Sequence, residues 1–231
     1  MRMKKILTIA AHPDDEILGC GATMAKLAEA GNEVHILIMA EGLTSRQVKR
    51  DRESKNTELS ELALSAERAS KAIGALSIEL SDFPDNRMDG VELLDIIKKV
   101  ESKIELIQPD ILFTHFPGDL NIDHRITAEA VITAARPLPD QKIKEIYFFE
   151  VPSSTDYQIY SDRLSFQPNV YYQISQSQMD QKLKALECYH TEMREFPHVR
   201  SIDAVRALSI YRGASIGYLF AEAFMLGRMI R

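Results

Sequence analysis

"KKILTIAAHPDDEILGCGATMAKLAEAG", residues 4–31, decides the fold. Residues 4–11 are a short apolar run closed by a turn, which reads as a buried strand. "GATMAKLAEAG", residues 21–31, reads as a helix with Gly31 as its stop. Between them stand His12, Asp14, Asp15 and Glu16. A soluble sheet gains nothing by packing three acids and an imidazole against the edge of its own core, so this turn is where function is sought.

The same alternation continues outward. Strands are expected at 33–40, 76–80, 110–115 and 143–150, and helices at 57–74, 90–108 and 123–136; the polar stretch 42–56 reads as a loop or a helix start. Strands and helices alternating at this spacing form βαβ units, a parallel sheet and right-handed crossovers. Past residue 150 the pattern becomes a helical and β-rich extension. Residues 156–175 read as β-rich, 176–193 as helical and 212–230 as a final helix. In that helix Gly213, Gly217 and Ala221 form a small-residue stripe suited to close packing. No linker divides the chain, so 1–231 is expected to be one domain.

Composition narrows the function. Of 231 residues, 45% are hydrophobic, and the formal net charge is -6. The acidic balance argues against a nucleic-acid partner. No apolar run approaches the ~18 residues of a membrane span. The start, MRMKKILTIAAH, is too short in its apolar part for a signal peptide. Two distant cysteines, Cys20 and Cys188, suit a reducing compartment, so a cytoplasmic protein is expected. A homo-oligomer is compatible with all of this.

In a parallel sheet the ligand crevice lies beyond the carboxyl ends of the strands. His12–Glu16 follow the first strand, and "GDLNIDH", residues 118–124, follows the fourth, so both clusters share one rim. His12 and Asp15, three residues apart, face one point in a turn entering a helix. With His124 they make a site of two imidazoles and one carboxylate, which leaves a position open as catalytic zinc requires. Asp14 points beside that site and is placed to take a proton from an activated water. Read alone, each cluster is also a plausible cap and solvated turn, because Asp is a good N-cap. Their coincidence on one rim favours the metal.

These residues also carry a family resemblance. "AHPDDEILGCGATMAKLAEAG" and "GDLNIDHRITAEAVITAARP" resemble the first and second motifs of the PIG-L/LmbE-like zinc-dependent N-deacetylases. "KALECYHTEMREFPHVRS" and "RGASIGYLFAEAF" resemble that family's C-terminal stretches. The resemblance implies a Rossmann-like, three-layer α/β fold with a mostly parallel sheet. It also implies removal of an acetyl group from an N-acetylated sugar or sugar conjugate, for instance in bacterial surface-polysaccharide synthesis. By motif, His12, Asp15 and His124 bind Zn2+, other divalent ions being admissible, and Asp14 is the general base. Much of the family has a histidine three residues before the second zinc-binding histidine; here that position is Asn121. An amide can donate to an oxyanion but cannot deliver a proton, which leaves the general acid open. Asp123 is expected to orient its surroundings as a carboxylate behind the ligands.

Further residues are expected to contact substrate. Arg46 belongs to a basic stretch, "TSRQVKRDR" (44–52), that suits a diphosphate carrier; the same stretch also reads as a solvated helix start. His198 and Arg200 lie in a loop that can reach the site. His115, which ends a strand on the crevice side, reads equally as a support behind the metal ligands or as a polar strand end. A nucleotide-binding protein without hydrolase activity is the competing reading. Its support is the Gly-x-Gly of residues 19–21, but an acidic HPDDE where the phosphate turn should be opposes it.

Overall fold

The computed structural model describes residues 2–159 and 165–231. Strand β1 (Lys5–Ala10) leads into helix α1 (Asp15–Glu29), followed by β2 (Glu33–Ala40), α2 (Asn56–Ala72), β3 (Ser77–Phe83), α3 (Leu93–Ile107), β4 (Ile111–His115), α4 (Ile122–Ala134) and β5 (Glu145–Phe149). Then come β6 (Val170–Ile174), α5 (Gln176–Cys188), α6 (Ile202–Ala214) and β7 (Phe220–Met229). The sheet runs β3-β2-β1-β4-β5-β7-β6. Its first five strands are parallel, and β7 is antiparallel to both neighbours.

Period-two alternation in the strands builds the three layers. Ile6 and Ala10 of β1 pack with Met24, Leu62, Phe113, Met179 and Val205, from α1, α2, β4, α5 and α6. Leu7 and Ile9 face the other way, onto Ile96 and Val100 of α3 and Val131 of α4. The order of strand addition reverses between β1 and β4, which are hydrogen-bonded parallel neighbours. Such a switch point opens a crevice at the strand ends.

Helix α1 bends at Cys20, whose φ is -147°. A bend frees backbone groups, and buried ones need partners. Glu222 of β7 accepts the Ala22 and Thr23 N–H groups at 3.1 and 2.6 Å. Lys182 of α5 donates to the Leu18 carbonyl at 2.8 Å and to Glu222 at 2.6 Å. The Gly-x-Gly of the nucleotide reading lies inside this helix. A Cβ on Gly19 would overlap the Phe149 ring, so that glycine serves packing.

The last segment differs from the expected helix over 212–230. Helix α6 ends at Ala214, Gly217 turns the chain at φ +80°, and residues 220–229 form β7. "LFAEAF" favours a helix locally, but β5 and β6 both offer unpaired backbone edges, and pairing with them outweighs propensity. The small residues are therefore not a helix stripe. Gly213 lets β7 cross α6 closely, since a Cβ there would lie 2.7 Å from the Phe220 nitrogen. Of the expected β-rich stretch 156–175, residues 170–174 are β6, and 160–164 lie outside the described residues.

Candidate metal centre and active site

The turn after β1 folds back on itself. Asp15, the first residue of α1, accepts the His12 backbone N–H on Oδ2 at 2.9 Å. The same oxygen lies 3.2 Å from His12 Nδ1 and 3.1 Å from His124 Nε2, with His124 supplied by the first turn of α4. Strands β1 and β4 thus bring both clusters to one point.

The far sides of the two imidazoles fix which nitrogens bear hydrogen. His12 Nε2 lies 3.1 Å from Asp123 Oδ2 and 3.4 Å from Asp85 Oδ1. His124 Nδ1 lies 3.2 Å from Asp119 Oδ1. Carboxylates only accept, so these nitrogens carry N–H. In the neutral imidazoles, His12 Nδ1 and His124 Nε2 then turn lone pairs toward Asp15. Asp15 Oδ1 and His124 Nε2 are buried without a hydrogen-bond partner among the described residues. Lone pairs converging on a carboxylate need a cation between them, and the donor set suits a divalent metal. Without one, protons take that role. Burial lowers the pKa of both histidines, but the surrounding carboxylates outweigh it and hold both above the ordinary value. Burial would raise Asp15, yet the charge of His124 and the hydrogen bond to His12 hold it well below.

Behind the imidazoles the carboxylates are themselves anchored. Asp123 accepts the Asn86 and Met88 N–H groups at 2.7 and 3.0 Å. Asp119 accepts the Asn121 N–H at 2.9 Å, the Thr155 hydroxyl at 2.5 Å and the Ser154 hydroxyl. His115 stacks on His124 with centroids 3.9 Å apart. Its Nε2 accepts the Ala11 N–H at 2.8 Å, and burial followed by the charge of His124 keeps it neutral.

Asp14 precedes α1 with φ 108° and is buried. Burial raises its pKa well above the ordinary value against the opposing charge of Arg200. Arg200 Nη1 donates to Asp14 Oδ2 at 2.9 Å. The Asp14 N–H is accepted by Glu16 at 3.0 Å, and Glu16 also takes the Tyr189 hydroxyl at 2.6 Å. Burial pushes Glu16 up to about 7, with those two bonds opposing.

The other expected site residues divide. Asn121 caps α4, accepting the Asp123 N–H at 2.8 Å, and its Nδ2 donates to Asn86 at 2.7 Å. His198 turns Nδ1 back to the Arg200 N–H at 3.1 Å. Arg46 is tied to Glu192 at 2.8 Å rather than to the imidazole cluster. Arg50 and Arg52 pair with Glu41 at 2.8 and 2.7 Å, so much of the basic stretch is neutralised. Sequence reading assigned no role to Asp85, Asp119, Glu16 or Tyr189. Asp119 and Glu16 sat within quoted motifs, but nothing in spacing marks Asp85 or Tyr189 as neighbours of the turn.

The family profile of GlcNAc-PI de-N-acetylase, PIG-L, matches residues 7–135, which hold every candidate metal ligand. The uncharacterized deacetylase YaiS of Escherichia coli (strain K12) is 30% identical over 195 residues, 80% of this chain and 90% of that protein. The diacetylchitobiose deacetylase of Thermococcus kodakarensis is 28% identical over 230 residues, covering 95% and 82%. Among solved structures, the N,N'-diacetylchitobiose deacetylase of Pyrococcus horikoshii superposes with a TM-score of 0.74 at 21% identity, covering 97% and 84%. The 4-carboxy-2-hydroxymuconate hydratase GalB of Pseudomonas putida KT2440 does so at 0.78 and 22%, covering 99% and 98%. A hydratase shares the architecture, so the fold alone does not fix the chemistry. The profile match spans more than half of the chain and includes both strand-end clusters, and on that ground the chain belongs to the PIG-L family.

Proposed function

We propose that this protein is a metal-dependent hydrolase that removes the acetyl group from an N-acetylated sugar or sugar conjugate. The observation that carries the proposal is the convergence of His12 Nδ1, His124 Nε2 and Asp15 on one point, with the buried Asp14 carboxylate beside it. Relatives named as sugar deacetylases supply the substrate class. His12, Asp15 and His124 would hold the ion, and zinc suits two imidazoles and a carboxylate. Bound there, such an ion acidifies water and polarises the amide carbonyl.

The chain's own groups do the rest. Asp14 takes the proton of the attacking water and returns it to the leaving amine; a carboxylate that burial makes more basic than usual suits both steps. Asp119 and Asp123 fix the tautomers of His124 and His12. Asn121 keeps a second Nδ2 hydrogen for the developing oxyanion. Arg46 and His198 are assigned to the substrate's remaining parts, with Arg46 half-exposed beside Glu192. Among the described residues, no helix is long and apolar enough to cross a membrane.

The test is acetate release from N-acetylglucosamine, diacetylchitobiose and N-acetylglucosaminyl malate, with and without chelator. Release should disappear on chelation and return with metal. Asp14→Asn should keep its metal and lose roughly 10²- to 10⁴-fold in rate. Release that persists in full after chelation, or no release from any N-acetyl sugar by metal-loaded protein, refutes the proposal.

A further inference from the structure

Non-glycine residues at positive φ are strained and persist only where their surroundings over-determine them. Among the described residues these are Asp14, Asn86, Gln108 and Ser153. Asn86 binds Asp123 behind the metal ligands. Asp14 (φ 108°) and Ser153 (φ 71°) are bridged by one side chain, Arg200. Its Nη1 donates to Asp14 Oδ2 at 2.9 Å and its Nε to Ser153 Oγ at 2.6 Å. Arg200 is itself held from behind. Its N–H donates to His198, and the next residue, Ser201, caps α6 by accepting the Ala204 N–H at 3.1 Å.

We propose that Arg200 is a positioning residue that aims the Asp14 carboxylate for proton transfer, and that it does so from outside the segment matching the family profile, residues 7–135. The inference rests on the hydrolase reading above and deepens it. A residue at positive φ has few local reasons to stay put. Asp14 is held at both ends, its N–H by Glu16 and its carboxylate by Arg200. The guanidinium fork matters because one rigid planar group holds two acceptors with separate nitrogens at a fixed spacing, whereas an ammonium offers a single compact nitrogen. The same bridge locks Ser153, next to the Ser154 that binds Asp119, so the base and the support of His124 share one strut. Arg200 spends its Nε and Nη1 on the protein, so positioning explains its placement better than substrate contact does.

Three variants and one added reagent test this. In Arg200→Ala, kcat should fall roughly 10²-fold, the cost of misplacing a reacting group by about 1 Å, with KM and metal content little changed. Added guanidinium should restore part of that loss. Arg200→Lys should lie between Arg200→Ala and wild type, and Ser153→Ala should show a smaller loss because the Asp14 bond remains. A crystal structure of Arg200→Ala should show the Asp14 carboxylate displaced. If that variant does not fold, Arg200→Lys and Ser153→Ala carry the same kinetic test. A raised KM with kcat intact would make Arg200 a substrate contact and overturn the proposal, as would an unmoved Asp14. Should metal-loaded wild type deacetylate nothing, the hydrolase reading fails, while the crystal structure still decides whether Arg200 positions Asp14.

Discussion

Asp119 offers the most informative single substitution. Its buried carboxylate accepts from the Asn121 N–H, the Ser154 and Thr155 hydroxyls and the His124 imidazole. Asp119→Ala strands four donors. Each buried group left unpaired costs about 1–3 kcal/mol. The vacated space is polar and admits water, which repairs part of the loss. A net cost of roughly 3–5 kcal/mol is expected, a large share of the 5–15 kcal/mol typical of a folded protein. At this length that lowers Tm by roughly 6–20 °C. Asp119→Asn keeps the shape and loses the charge, at roughly 2 kcal/mol, because bonds to a charged acceptor are the stronger kind. Asp119→Ala frees the His124 ring and Asp119→Asn holds it by a weaker, neutral bond, so metal affinity should fall about 10- to 100-fold. There is also a pH signature. Burial raises the Asp119 carboxyl, but the His124 bond and charge outweigh it and bring it from 3.8 to about 2. A depressed folded pKa stabilises above the unfolded value and is lost as pH falls through the folded one. Metal-free wild type should therefore lose about 2 kcal/mol between pH ~4 and ~2, a loss absent from Asp119→Asn. Urea unfolding in chelator across pH, and metal competition against a chromogenic chelator, measure both effects. An Asp119→Ala protein as stable as wild type, or an Asp119→Asn protein that binds metal as tightly, would refute the reasoning.

Other outcomes follow from the same geometry. Asn121→Ala removes the α4 cap and should cost roughly 0.5–2 kcal/mol; if Asn121 also donates to the oxyanion, kcat per bound metal falls roughly 10²- to 10³-fold with KM little changed, and unchanged turnover per metal would leave it a cap only. Gly213→Ala drives a Cβ to 2.7 Å from the Phe220 backbone, so Tm should drop by the equivalent of roughly 1–3 kcal/mol, and an unchanged melt would contradict the close crossing. Lys182→Met leaves Glu222 buried without its cation and should cost about 3–5 kcal/mol in chemical denaturation, with an added Glu222→Gln recovering part of it.

The sequence by itself determined the parts governed by local periodicity. Apolar runs of strand length alternating with amphipathic helices specify a parallel sheet, because a parallel connection needs a crossover. The rule that ligands sit beyond the carboxyl ends of strands placed both acidic clusters on one rim. Three-residue spacing in a turn sufficed for His12 and Asp15, and the motif ending in His124 supplied the third candidate ligand. Tertiary structure decided the partners. Asp85, Ser154 and Tyr189 reach the site from the ends of β3, β5 and α5, and no spacing announces those contacts; the loop of Arg200 was expected near the site, but its bond to Asp14 exists only in the folded chain. The terminal segment shows the same limit on the scale of the fold. Residues 220–229 read as helix because local propensity is all a single strand of text displays, but they became β7 because two sheet edges were waiting for backbone hydrogen bonds. Buried polar groups must be paired wherever their partners lie in sequence, so the second layer of a site is written in three dimensions while its first layer can be read in one.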